Sequence, residues 1–217
     1  MHINPDNSFF RVMNAVFDIA FTYILYLFCC LPVITVGAAT TALHATLLSV
    51  ADDSCSGVLR KFFGAFKRDM KTASLLWLLF AVAGSVVAAD VVICFGFEME
   101  QAGSILYAMR GITIFCVFFY TLMFHYTFAG IAKFEVTWKQ ALRNALLFLT
   151  KFPIRSIGIF LLSAASAVSL YLGLIWALPV VMILVYLQTL LLRTVFDKTL
   201  GIKHEKLPRR ENAQFYE

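Results

Sequence analysis

GVLRKFFGAFKRDMK, residues 57–71, decides how this chain is read. Five cations (Arg60, Lys61, Lys67, Arg68 and Lys71) stand there against one acid, Asp69. Val58, Leu59, Phe62, Phe63, Phe66 and Met70 recur at three- and four-residue steps, which gathers them on one side of a helix. A short helix with aromatic residues on one side and Lys/Arg on the other suits a membrane interface or a partner's surface. The same stretch also reads as an ordinary basic loop retained in the cytoplasm by the positive-inside rule. Both readings put it on the cytoplasmic side of a bilayer. The candidate docking face is Phe62, Phe63, Phe66, Lys67 and Arg68.

The composition agrees with a membrane setting. The chain has 217 residues, of which 61% are hydrophobic and 14% charged, with a mean hydropathy of +0.82. A soluble domain is far less apolar. The pI near 9.0 could suggest nucleic acid, but sixteen of the eighteen Lys/Arg fall in 52–71, 133–155 and 193–217. Such periodic clustering marks the loops on one side of a membrane, so no nucleic-acid partner is expected. The five cysteines are odd in number and show no CxxC spacing. Cys29, Cys30, Cys94 and Cys116 sit in apolar runs and Cys55 in a basic loop, so neither a disulfide nor a cysteine metal site is expected. The N-terminus lacks the basic region and cleavage site of a secretory signal.

Taken in order, residues 1–8 are polar and read as a loose N-terminus. Residues 9–51 form a hydrophobic segment broken at Pro32, where a helix should end or kink near Cys30–Leu31. The stretch that follows is rich in Thr, Ala and Gly, which permit close helix approach. It either spans the bilayer or enters and leaves on one side. Lys71 to Phe95 reads as a spanning helix with a small-residue stripe at Ala81, Ser85 and Ala89. An acidic external turn follows, and Ile105 to Ala132 returns. In 133–155, Thr137 and Gln140 have capping-box spacing for a second amphipathic helix, and Pro153 suits the break before the next element. Residues 156–173 and 177–196 form another hairpin, and 197–217 read as a cytoplasmic tail. The order of basic helix then hairpin occurs twice, so 57–132 and 137–196 are candidate divergent repeats, with slight residue identity between them.

The fold class is therefore all-α: one polytopic integral membrane domain with two cytoplasmic amphipathic helices. If the basic loops share a side, an N-terminus on that side requires six spans and one on the other side requires five; six is the preferred count. The ionisable residues inside apolar runs are costly and need protein partners. Asp90 and Arg110, each about ten residues from the turn between their helices, are expected to form a structural ion pair. Asp18, His44 and His125 are candidates for an intramembrane polar site: each has a bland account as a satisfied interior group, and together they could relay protons. No Walker A motif, HExxH or glycine-rich dinucleotide turn is present in the sequence, so no catalytic, cofactor-binding or metal residues are assigned, no cofactor is expected and the chain does not read as an enzyme. The 22 Phe, 8 Tyr and 3 Trp are read as packing and interface anchors before any sugar-stacking site.

Four stretches, FFRVMNAVFDIA (9–20), LPVITVGAATTAL (31–43), FFGAFKRDMKTASLLWL (62–78) and, more weakly, ALRNALLF (141–148), resemble the YesL-like family of bacterial integral membrane proteins, a domain of unknown function. Asp69 and Tyr23 stand where that family tends to carry Asn. The resemblance implies a multi-pass protein of the bacterial cytoplasmic membrane, an accessory or regulatory role beside carbohydrate ABC uptake, and ABC permease subunits as partners. It supplies no catalytic residues. A small secondary transporter using intramembrane Asp and His is the alternative, and an intramembrane enzyme ranks last.

The loop charges generate a topological prediction. In a background without native cysteines, Lys61→Cys and Lys139→Cys react with an impermeant maleimide only after intact cells are permeabilised. Labelling of the two from opposite sides would break the arrangement.

Overall fold

A computed structural model describes residues 8–52, 57–96, 104–134, 136–172 and 177–200. Among them there are seven α-helices and one short 3-10 turn, and no strand. They are α1 (Ser8–Cys29), α2 (Val36–Ala51), α3 (Val58–Gly96), α4 (Ser104–Phe134), α5 (Trp138–Lys151), α6 (Pro153–Tyr171) and α7 (Ala177–Leu200). Five stretches, in α2, α3, α4, α6 and α7, are long and apolar enough to cross a membrane, and α1 adds the shorter apolar run Met13–Cys29. Of the loose N-terminus expected at 1–8 and the tail expected at 197–217, Ser8 opens α1 and α7 continues to Leu200; residues 1–7, Cys55, the acidic turn at 97–103 and 201–217 lie outside the described residues.

Pro32 acts as anticipated. The first helix ends at Cys29, a 3-10 turn covers Val33–Thr35, and α2 begins at Val36. The Thr35 hydroxyl donates to the carbonyls of Cys29 and Pro32, which seals the turn. α1 then lies antiparallel to α2: Ile19 clusters with Leu43, Leu47 and Val50, while Leu25, Tyr26 and Cys29 pack near Ala42 and Ala45. The beginning of α1 and the end of α2 therefore share one end of the molecule.

Helix α2 is the centre of the bundle. Fourteen of its sixteen residues are buried, and it packs against α1, α3, α4 and α7. A helix with four threonines and serines can be buried because its hydroxyls bond its own carbonyls: Thr40 to Val36, Thr41 to Gly37, Thr46 to Ala42 and Ser49 to Ala45. Its small side chains let α3 approach closely. At Gly37 an added Cβ would fall on the Ala73 carbonyl and 2.6 Å from the Trp77 Cβ. Ala42 and Ala45 receive Phe62 and Ala65. α2 is thus aligned with the first half of α3, and the tip joining α1 to α2 reaches the level of Trp77. Leu31, Val33 and Ile34 at that tip are 70–77% exposed, an apolar surface that hydrocarbon would suit.

The basic stretch and the span expected as separate elements are one continuous helix. α3 runs for 39 residues, about 58 Å at 1.5 Å per residue. No proline interrupts it, and its interior glycines at 64 and 84 are tolerated. The second amphipathic helix, by contrast, is separate. Thr137 and Gln140 form the expected capping box at its start. Phe152, at φ −129 and ψ 62, is forced out of helix by the following Pro153, which opens α6.

α3 and α4 pair as an antiparallel hairpin, joined by an aromatic cluster of Trp77, Phe80, Phe124 and Phe128. The Tyr120 hydroxyl donates to the Phe80 carbonyl at 2.9 Å and lies over Gly84, where a Cβ would displace it. The stripe Ala81, Ser85 and Ala89 does not make this contact: Ser85 and Ala89 are exposed, and Trp77, Phe80 and Gly84 face α4 instead. α6 and α7 form the second hairpin, and α5 closes the basic end with Ala141, Ala145 and Phe148 buried against Phe134 and Phe196.

The α2–α3 contact sets a stability test. Gly37→Ala is expected to destabilise the detergent-solubilised protein by about 1–3 kcal/mol through overpacking against a backbone carbonyl. Gly64→Ala, where a new Cβ meets nothing within 4 Å, should leave stability equal or higher. Thermal melts of both variants read the difference, and equal effects would contradict the packing described.

Candidate functional site

Several polar interior contacts join different helices. His44 of α2 is 2% exposed and its Nδ1 lies 3.1 Å from the Thr189 hydroxyl of α7. The same hydroxyl lies 2.9 Å from the Val185 carbonyl; when it donates there, His44 donates to it from Nδ1. His125 of α4 places Nε2 3.2 Å from Ser163 of α6. About two helical turns earlier in α6, Ser156 and the Tyr126 hydroxyl share a hydrogen bond at 2.9 Å. His125 Nδ1, Thr127 Oγ1 and Gln188 Nε2 are buried without a hydrogen-bond partner among the described residues. Asp18 is half-buried on α1, where the Thr22 hydroxyl bonds its backbone carbonyl and not its carboxylate. Asp18, His44 and His125 share no direct hydrogen bond or ion pair among the described residues.

Asp90 and Arg110 do lie at the same end of the α3–α4 hairpin, but not as an ion pair. Among the described residues no charged contact within 4.0 Å joins them. Both turn to Cys94. Asp90 accepts from the Thr113 hydroxyl at 2.8 Å and lies 3.8 Å from the Cys94 thiol. Arg110 donates Nε to the Cys94 carbonyl at 3.0 Å and lies over the Phe95 ring. A hydroxyl, a thiol and a backbone carbonyl satisfy both groups locally, which removes the need for a direct pair.

The docking face is also rearranged. Phe62 is completely buried and Phe66 partly so, the two stacked with ring centroids 6.4 Å apart against α2. The small residues of α2 form a groove that takes these rings. Arg68 turns to its neighbour Asp69 in a two-pronged pair, Nε to Oδ1 at 3.0 Å and Nη2 to Oδ2 at 2.8 Å. Outward, the first turns of α3 present Leu59, Phe63 and Met70 among the exposed cations Arg60, Lys61, Lys67, Arg68 and Lys71. Of the expected face, only Phe63, Lys67 and Arg68 are exposed.

Sequence reasoning passed over Asp52, which ties three helix ends together. It closes α2, pairs with Arg193 of α7, and lies 3.7 Å from Lys133 at the end of α4. Arg193 also donates to the Ala51 carbonyl at 2.8 Å, a cation on the negative end of α2. Arg155, at the start of α6, donates to the Thr194 carbonyl. The three basic stretches therefore meet at one end of the molecule. The signal was available, since an acid at the end of an apolar run with cations ending two other runs invites a shared partner. The Asp52 and Arg193 side chains keep 30% and 21% exposure. A double-mutant cycle with Asp52→Asn and Arg193→Gln, read by thermal unfolding in detergent, is expected to show coupling of about 0.5–1.5 kcal/mol. Strict additivity would refute the junction.

Residues 16–91, from α1 through most of α3, match the family described as "Protein of unknown function, DUF624". No curated protein and no solved structure matches the chain. The matched segment contains Pro32, the buried α2 and the Gly37 crossing with α3. Residues 16–91 are thus similar to the DUF624 family, consistent with the YesL-like resemblance carried by the same part of the chain.

Proposed function

We propose that this protein is a non-enzymatic accessory or regulatory component of the bacterial cytoplasmic membrane, working beside a carbohydrate ABC importer with its basic end in the cytoplasm. The observation that carries the reading is the character of that end. α3 has 39 residues where about 20 suffice to cross hydrocarbon, so its first turns outlast the bilayer. There it presents Leu59, Phe63 and Met70, 40–50% exposed, beside the exposed Lys67. α5 adds Trp138, Leu146 and Leu147 with Lys139 and Arg143 on the same end. Apolar side chains among cations suit contact with another membrane protein's cytoplasmic loops. The importer as partner comes from the family resemblance.

A second reading, a small secondary transporter, is favoured by one observation: the unpartnered polar atoms of His125, Thr127 and Gln188 inside the bundle. Buried polar atoms without partners in apolar surroundings commonly mark water or substrate.

Affinity purification from native membranes separates the two. The accessory reading expects an ABC permease subunit to co-purify, and Leu59→Ser, Phe63→Ser and Met70→Ser combined to reduce its recovery at least about fivefold without loss of the folded protein. Recovery that ignores the triple substitution, or substrate flux in liposomes holding this protein alone, would overturn it.

A further inference from the structure

At the basic end, a pocket of about 500 Å³ opens between the last turns of α2, the first turns of α3 and the end of α4. Its apolar floor is Ala45, Leu48, Ala65 and Ala132. Its walls carry four cations, Arg60, Lys61, Arg68 and Lys133, against one carboxylate, Asp52. That carboxylate is held by Arg193 and lies 3.7 Å from Lys133, whose ammonium has further protons to give, and Arg68 is engaged by Asp69. Arg60 and Lys61 have no acidic partner among the described residues. Gathering like charges around a cavity costs energy unless something of opposite sign completes it. Gly64 also lines the pocket, and a Cβ placed there meets nothing within 4 Å, so the space is not used for helix packing.

We propose that this pocket binds a phosphate group, with the Arg60 guanidinium, the Lys61 ammonium and the Lys133 ammonium as its donors. A guanidinium matches two phosphate oxygens at once, and ammonium groups add point charges around it. The volume exceeds that of a bare phosphate and leaves room for a glycerol-sized group on its ester oxygen. The apolar floor continues into the bundle, so the site lies where a basic rim meets membrane-spanning helices, the usual depth of acidic phospholipid headgroups. A soluble phosphate ester offers the same chemistry from the aqueous side. The site is independent of the docking surface proposed above, because its ligand is a small anion and its lining lies between helices.

The test uses the full chain in nanodiscs and in neutral detergent. Binding is read by native mass spectrometry with phosphatidylglycerol, and by thermal shift with glycerol 3-phosphate and inorganic phosphate. Arg60→Gln with Lys61→Gln is expected to weaken binding about tenfold or more, since two charge-assisted contacts are lost. Gly64→Leu should block the pocket while every charge is retained. Lys139→Gln with Arg143→Gln removes as much charge from α5 and should leave binding unchanged. Lipid retention with this pattern assigns a headgroup. A thermal shift by glycerol 3-phosphate or phosphate with the same pattern, without lipid retention, assigns a soluble ester. The absence of binding by any probe, or equal losses in the α5 variant, would overturn the proposal.

Discussion

Hydrocarbon offers no hydrogen bonds, so a chain that enters it must satisfy its polar groups from within. The architecture follows from how α2 meets that demand. Its hydroxyls return to its own carbonyls, which leaves a nearly smooth cylinder of Gly, Ala and Thr. Such a cylinder admits neighbours at backbone distance, as α3 does at Gly37. With α2 enclosed, α1, α4 and α7 take positions around it, and His44 reaches Thr189 across the interior. Packing of this kind holds membrane helices together without a hydrophobic driving force between them.

The charged residues follow a second logic, and it acts at the helix ends. Asp52 draws Arg193 and Lys133 together, so the C-terminal ends of α2, α4 and α7 meet. Cations at such ends also offset the negative pole of each helix. The same convergence leaves Arg60 and Lys61 beside a hollow, without an acidic partner among the described residues. Toward the opposite end of the α3–α4 hairpin, charge is handled by neutral groups: Asp90 and Arg110 each find a partner at or beside Cys94.

The helices and their interruptions were largely legible in the sequence. Pro32 and Pro153 break the chain by local sterics, and the Thr137–Gln140 cap is a local motif, so neither depends on the rest of the fold. What could not be read was whichever feature a neighbouring helix decides. The periodicity of Phe62, Phe63 and Phe66 showed an apolar side, but whether that side met lipid, a partner or α2 depended on the width of the α2 groove. Asp90 and Arg110 have matching depths, yet the nearer Thr113 hydroxyl and Cys94 carbonyl satisfied them first. The junction at Asp52 joins residues more than 140 positions apart, a closeness that topology creates and spacing does not reveal. The continuity of α3 was missed for another reason: a change from amphipathic to wholly apolar character looks like a boundary, although no residue there stops a helix.

That continuity has a mechanical side. An unbroken rod of 39 residues transmits tilt from one end to the other. A change of ten degrees in its angle within the bilayer would swing its far end through about 10 Å, given a length near 58 Å. Tilting is one way a long helix adapts to a thinner bilayer, and any such tilt of α3 would carry Leu59 and Phe63 with it.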